Sequence, residues 1–509
     1  MKLTILGGGG FRVPLVYEAV ARGATGLTVD DIVLHDVDAD RLRTTAQVIE
    51  GLAAEIRSGA GPGGAAPDSG AGGRVRLPTV RTSMDLRDAV AGADFVFSAI
   101  RVGGAHARTI DERVALDLGL LGQETVGAGG LAYALRTIPA AIDIAATIAE
   151  AAPEAWVINF TNPAGIVTEA MREVHGHRVV GICDTPIGLV RRVGRLLGLD
   201  SIRDLERTSI DYVGLNHLGW LRSVTVDGVE QLGELFDDED ALDHIEEARL
   251  IGTDWVRADR ALPNEYLYYY LHTGHAVSRI LDAGTTRGEV LVQQQQAYYQ
   301  RLSGTPPHGK GSSGQGTGTA KGAPGASPLA IWRSALHERE STYMAESRDD
   351  ERREEDIAGG GYQEVALRLM TALAMNRPER MILDVGNTVS ARSTPAEATA
   401  GTTSVPETRV IPGLPAETVI EVPCIVDGDG VHPEPVAPVE LDRLGLMARV
   451  RGAERLILEA ATSGDQDSAW RGFATHPLVS SPDLGRRLLD GYLHRDPHIA
   501  RVLGRTALQ

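Results

Sequence analysis

The sequence predicts an α/β fold: a Rossmann-like parallel sheet followed by an α+β region. Three observations predict it. Short apolar strands alternate with helical stretches over roughly residues 1–190, the pattern of βαβ crossovers. The first strand runs directly into four glycines, Gly7–Gly10. An acid, Asp36, closes the second strand.

Taken in order, Leu3–Leu6 reads as a buried strand, Gly7–Gly10 as a turn and Pro14–Val20 as a helix. Ile32–His35 is a second strand, and about 38–57 a long amphipathic helix. Residues 59–73 are rich in Gly, Ala and Pro and read as a surface loop. Further buried strands are Phe95–Ile100, Trp156–Asn159 and Val179–Ile182. Beyond them, Ser303–Ser327 holds eight glycines and no acid. Such a stretch cannot bury enough apolar surface to offset chain entropy, and disorder is expected over 303–327. A charged helical run (338–357), a helix over Tyr362–Met375 and strands at Arg380–Leu383 and Val419–Val422 complete the second region. The division expected is 1–190 for dinucleotide binding and 191–509 for substrate and metal.

The glycine turn is the first functional signal. Glycines let a backbone approach a pyrophosphate, and the next helix offers free N–H groups and the positive end of its dipole. Gly7, Gly8, Gly9 and Gly10 are the phosphate-side candidates, and Asp36 is suited to a ribose diol. An acid there disfavours a 2′-phosphate, so NAD is expected over NADP. The Gly8-to-Asp36 interval exceeds the usual ~20 residues, so the helix or its connection must be longer than standard.

Bulk properties narrow the class. The net charge of −19 argues against nucleic-acid binding, which needs a basic face. Nothing in the chain reads as a transmembrane segment, and the first residues read as a strand rather than a signal peptide, so a cytoplasmic location is expected. Two cysteines, Cys183 and Cys424, are too few for a disulfide framework. Lys2, Lys310 and Lys321 are the only lysines among 50 cationic residues. With Arg this common, no single arginine stands out by type.

Several motifs follow one another: NFTNPAG (159–165), GICDTPIGL (181–189), GLNHLGW (214–220), LPNEYLYYY (262–270), TTRGEVL (285–291), GGGY (359–362), GLPAETVIEVPCIV (413–426) and THPLV (475–479). With residues 98–139, they closely resemble the family 4 glycoside hydrolases, the bacterial 6-phospho-β-glucosidases among them. The resemblance runs from residue 1 to about 490 and breaks at the two low-complexity stretches. It implies NAD- and Mn²⁺-dependent hydrolysis of 6-phospho-β-glucosides by redox, elimination and addition, in place of two-carboxylate hydrolysis. It also implies a homodimer or homotetramer.

By the same resemblance, Cys183 and His217 are the metal ligands, of Mn²⁺ or another divalent ion. Asp184 is the general acid and Tyr266 the base at C2. Asn162, Arg101 and Arg287 contact the sugar and its phosphate. Each also has a plain reading: a buried thiol, a turn histidine, a helix N-cap, a core tyrosine, an Asn-Pro turn, a solvated arginine. Cys424 has only the plain one. Other readings of the chain are the same chemistry on α-linked or unphosphorylated glycosides, a simple NAD-dependent hydroxyacid-type dehydrogenase, and a non-catalytic NAD sensor.

Overall fold

The computed structural model describes residues 1–59 except 24, 77–199, 206–303, 327–342, 344, 353, 361–389 and 409–504. The expected loops at 59–73 and 303–327, and most of 338–357, lie outside them.

Six strands form the parallel part of the sheet: β1 (Lys2–Leu6), β2 (Asp31–His35), β3 (Thr79–Ser83), β4 (Phe95–Ser98), β5 (Trp156–Asn159) and β6 (Val179–Gly181). Their spatial order is β3-β2-β1-β4-β5-β6, all parallel, which is the order of dinucleotide-binding sheets. In β1, Leu3–Leu6 are buried on both faces, as a central parallel strand requires. Helices α1 (Val13–Arg22), α2 (Ala39–Ser58), α3 (Leu86–Val90), α4 (Gly104–Leu116), α5 (Gly127–Ala151), α6 (Ala164–His175) and α7 (Thr185–Leu196) accompany the strands. Asp38 caps α2, its side chain accepting from the Asp40 and Arg41 N–H groups. The long Gly8–Asp36 interval resolves into a ten-residue α1 that ends at Arg22 and a β2 that begins only at Asp31.

The sheet then continues with reversed direction. β11 (Glu379–Gly386) pairs antiparallel with β6 through Asp384 and Gly181, and β12 (Val419–Asp427) pairs along the length of β11. Beyond β12 come β7 (Thr208–Leu215), β8 (Leu218–Val226) and β10 (Leu262–Pro263). Two short strands, β9 (Val229–Glu230) and β13 (Gly430–Pro433), pair with β8 and β12. The parallel and antiparallel parts thus form one continuous sheet among the described residues. β3 and the β7–β8 hairpin are strands that sequence periodicity does not single out.

The C-terminal helices Leu441–Ser463, Gln466–Thr475 and Pro482–Arg495 pack with α4, α5 and α6 in a second apolar layer. The sequence expectation of no spanning helix meets one candidate: α5 is long and apolar enough by length and composition, with 61% of its most apolar window buried in the fold. That burial is what a core helix shows.

Candidate active site

A cavity of about 580 Å³ opens at the carboxyl ends of β1, β4, β5 and β6, where open α/β sheets bind ligands. Arg101, Asn162, Cys183, Asp184, His217, Tyr266 and Arg287 all line it. They come from six separated segments of the chain.

At the sheet's dinucleotide end, Gly7 and Gly10 line the cavity. Gly7 has φ +77, and a Cβ on it would lie 2.4 Å from the Ala99 carbonyl oxygen. A Cβ on Gly8 would lie 2.8 Å from the His35 nitrogen. Packing between β1, β2 and β4 therefore requires these two glycines. The start of α1 beside them carries no side-chain cap, so its N–H groups and dipole suit a phosphate. Gly8, Gly9 and Asp36 stand just behind the cavity wall. The Asp36 carboxylate accepts from the Gly9 N–H at 3.0 Å and the Asp38 N–H at 3.1 Å, which leaves acceptor capacity on both oxygens.

Cys183 and Asp184 follow β6 and lead into α7. Asp184 occupies the N-cap position but makes no side-chain cap bond, so the plain N-cap reading does not account for it. Cys183 Sγ lies 3.3 Å from Thr185 Oγ1. Burial, then the Glu421 and Asp184 carboxylates, push the thiol well above its usual pKa. Cys424 is a buried residue of β12, as read.

Asn216 and His217 are the two-residue turn joining β7 to β8, with Leu215 facing Leu218. His217 adopts φ 64, a left-handed conformation that His tolerates better than most residues. Thr125 Oγ1 lies 3.1 Å from its Nδ1, leaving Nε2 as the ring nitrogen for another partner. Burial lowers the imidazole pKa to about 3, so it is neutral. Behind the turn, Glu421 accepts from the Tyr212 hydroxyl at 2.8 Å and from Asn216 Nδ2 at 3.4 Å.

The Tyr266 ring stacks on the His217 ring, centroids 3.7 Å apart and planes 1° from parallel. Asn264 fixes its turn, accepting from the Tyr266 N–H at 3.0 Å and donating to Thr185 Oγ1 at 2.8 Å. One chain of contacts thus joins Tyr266, Asn264, Thr185 and Cys183. Of the neighbouring tyrosines, Tyr269 also lines the cavity. Tyr268 instead contacts His275 Nδ1 at 3.0 Å, and Tyr270 lies beside His476.

A buried thiol and a neutral imidazole form a donor pair that fits a divalent transition metal. No group of three or more Cys, His, Asp or Glu side chains converges anywhere among the described residues, so this pair would leave the other metal positions to substrate or water.

The remaining wall is cationic. Arg101 and Arg108 both pair with Glu124 at 2.7 Å, and Arg108 also with Glu112. These two arginines outweigh burial and pull Glu124 down to about 2. Arg287 donates to Thr342 Oγ1 at 2.8 Å and to the Arg339 carbonyl at 3.1 Å. Sequence reading gave Gln123, Glu124 and Thr125 no individual roles. Gln123 Oε1 accepts from the Thr125 and Val126 N–H groups at 2.6 and 2.7 Å, which sets Thr125 against His217. Arg108, Asn264 and Thr185 carry no local signal that would have found them.

Residues 70–199 match the model of the family 4 glycosyl hydrolases, and residues 212–479 match that family's C-terminal domain. A probable 6-phospho-β-glucosidase of Bacillus subtilis is 28% identical over 97% of this chain and 96% of its own length. A phospho-α-glucosidase of Clostridium acetobutylicum is also 28% identical, over 96% of each chain. The fold matches a 6-phospho-β-glucosidase of Thermotoga maritima solved with manganese, NAD⁺ and glucose 6-phosphate. Its TM-score is 0.72 at 22% identity, over 97% and 98% of the two chains.

Proposed function

The chain belongs to the family 4 glycosyl hydrolases, and on that premise we propose that it hydrolyses 6-phospho-β-glucosides with NAD⁺ and a divalent metal, Mn²⁺ by preference. The observation that carries this is the convergence of seven residues from six segments on one cavity. The names of the relatives and the NAD⁺- and manganese-bound neighbour support it.

When bound, the dinucleotide would accept and later return the C3 hydride, and the metal would act as a Lewis acid toward the oxygen at C3. Cys183 and His217 would hold the metal, with positions left for substrate. Gly7, Gly10 and the uncapped start of α1 receive the pyrophosphate, with Asp36 on a ribose. Tyr266 removes the C2 proton, which a C3 ketone makes acidic. Asp184 delivers a proton to the departing glycosidic oxygen. Water adds at C1 while Tyr266 returns a proton to C2. Asn162 holds the sugar. Arg101 and Arg287 stand at the phosphate, where charge-assisted bonds suit guanidinium.

Action on the α anomer is the second reading. Relatives of both kinds share 28% identity, and elimination begins at C2, away from the anomeric configuration. We also propose a cytoplasmic homodimer or homotetramer, which size-exclusion chromatography tests.

The decisive experiment is a panel of nitrophenyl α- and β-glucosides, with and without 6-phosphate, assayed with NAD⁺, Mn²⁺ and reductant. The β-linked 6-phosphate is expected to react fastest, without net NADH. Stoichiometric NADH would favour the dehydrogenase reading. Full activity in NAD-free enzyme would remove the redox mechanism.

A further inference from the structure

Two motifs singled out in the sequence, LPNEYLYYY and THPLV, contribute Tyr270 and His476, which the chemistry above leaves unused. The two meet beside the turn that carries His217. A second, smaller cavity there, of about 20 Å³, is lined by Asn216 and His217 of that turn and by Tyr270, Glu454 and His476. Its volume is enough for one water molecule.

The polar groups around it have unmet hydrogen-bonding capacity. His476 is buried at the end of the helix Gln466–Thr475. Burial first, then Arg449, lower its pKa to about 3, so the ring is neutral. Its Nδ1 accepts from the Leu478 N–H at 3.2 Å, which puts the ring proton on Nε2. Nε2 has no partner among the described residues, and a buried N–H without one is costly. The Tyr270 hydroxyl likewise has none, and its ring lies 6.3 Å from that of His476 between centroids. Glu454 uses Oε2 on Arg451 Nη1 at 2.8 Å. Asn216 uses its amide nitrogen on Glu421 at 3.4 Å. Glu454 Oε1 and Asn216 Oδ1 remain to accept.

Two donors and two acceptors therefore border one small space. That set matches a water molecule, which offers two lone pairs and two hydrogens. A cation would call for acceptors alone, and an anion for donors alone. We propose that this cavity binds one ordered water, which accepts from His476 Nε2 and the Tyr270 hydroxyl and donates to Glu454 and Asn216, and that through it His476 is a positioning residue for the Asn216–His217 turn. The turn gains from such a support: His217 holds φ 64, and the Asn216 side chain is otherwise tied, among the described residues, only by its 3.4 Å bond to Glu421. The water site stands by itself, whereas its role toward the metal rests on the ligand pair proposed above.

A high-resolution crystal structure of the wild-type full chain tests the site. A water is expected within hydrogen-bond distance of His476 Nε2, the Tyr270 hydroxyl, Glu454 and Asn216; an ion in its place, or no density, would overturn the site. Titration calorimetry with Mn²⁺ and, separately, NAD⁺ tests the positioning role. His476→Leu is expected to bind Mn²⁺ about tenfold more weakly, the lower end of what losing an outer-shell partner of a metal costs, with NAD⁺ affinity unchanged. His476→Gln, which can still offer an N–H to the water, is expected to recover part of that loss. A variant His476→Gln no better than His476→Leu would cut the water out of the link. Wild-type Mn²⁺ affinity in His476→Leu, or an equal loss for NAD⁺, would mean that His476 serves the fold alone. Should Cys183→Ser bind Mn²⁺ as wild type does, the ligand pair fails instead, and the crystal structure still decides the water.

Discussion

The two ends of the cavity handle charge in opposite ways. Around Cys183, His217 and Tyr266, burial keeps groups neutral: the thiol is pushed up and the imidazole down to about 3. Around Arg101 and Arg108, burial is outweighed by the Glu124 carboxylate they share, and the three groups stay charged. A neutral, hydrogen-bonded end suits a cation and proton transfer, because a thiol and an imidazole there can give up a proton or offer a lone pair. A cationic end suits an anion that stays charged throughout. Burial alone does not set the chemistry of a site; the partners brought into the buried space do.

That contrast can be broken most severely at the neutral end. Cys183→Ser is expected to lose bound Mn²⁺ and nearly all turnover, since a hydroxyl is a poor replacement for thiolate. Metal analysis of the purified variant checks it, and unchanged metal content would remove Cys183 from the site. Wild-type metal affinity should also fall with acidification, because the raised thiol must release a proton to bind.

Tyr266→Phe is expected to reduce turnover strongly while leaving NAD⁺ and Mn²⁺ binding largely intact. In deuterium oxide the wild-type product should carry deuterium at C2, and the variant should lose this exchange together with turnover. Protium alone at C2 in the wild-type product would count against elimination, unless a shielded base returns the same proton. A primary isotope effect from C2-deuterated substrate separates the two cases. Exchange persisting in Tyr266→Phe would pass the role of base to Tyr269, since Tyr268 and Tyr270 are turned to other partners.

At the cationic end the expected change is smaller and selective. Arg287→Ala should raise KM for a 6-phosphoglucoside about ten- to a hundredfold relative to its unphosphorylated analogue, as losing a charge-assisted bond costs roughly 1.5–3 kcal/mol. Equal effects on both substrates would mean that Arg287 does not read phosphate.

The smallest effect concerns stability. Buried His476, beside Tyr270, has its pKa lowered to about 3, first by burial and then by Arg449. Its folded pKa lies below the unfolded value near 6.5. Its contribution to stability is therefore full above pH 6.5 and declines as pH falls toward 3. Lowering the pH to 5 should cost about 2 kcal/mol through this residue. Denaturant unfolding of His476→Gln should show a flatter acid limb than wild type; an identical limb would mean that His476 protonates freely in the folded state.

Local signals in the sequence were enough for the strand, glycine turn and helix at residues 2–22, for the acid after β2, and for motifs holding Cys183, His217 and Tyr266. Periodicity and turn chemistry act over a few residues and remain legible in one chain. What only the tertiary structure decided was the partners. Thr125 reaches His217 across 92 residues, Asn264 reaches Thr185 across 79, and Arg12 reaches Glu340 across 328. With arginine so common, composition hides which of them share a counterion. Arg101 and Arg108 are joined only once both reach Glu124, because a local charge balance belongs to a volume of space and not to a stretch of sequence.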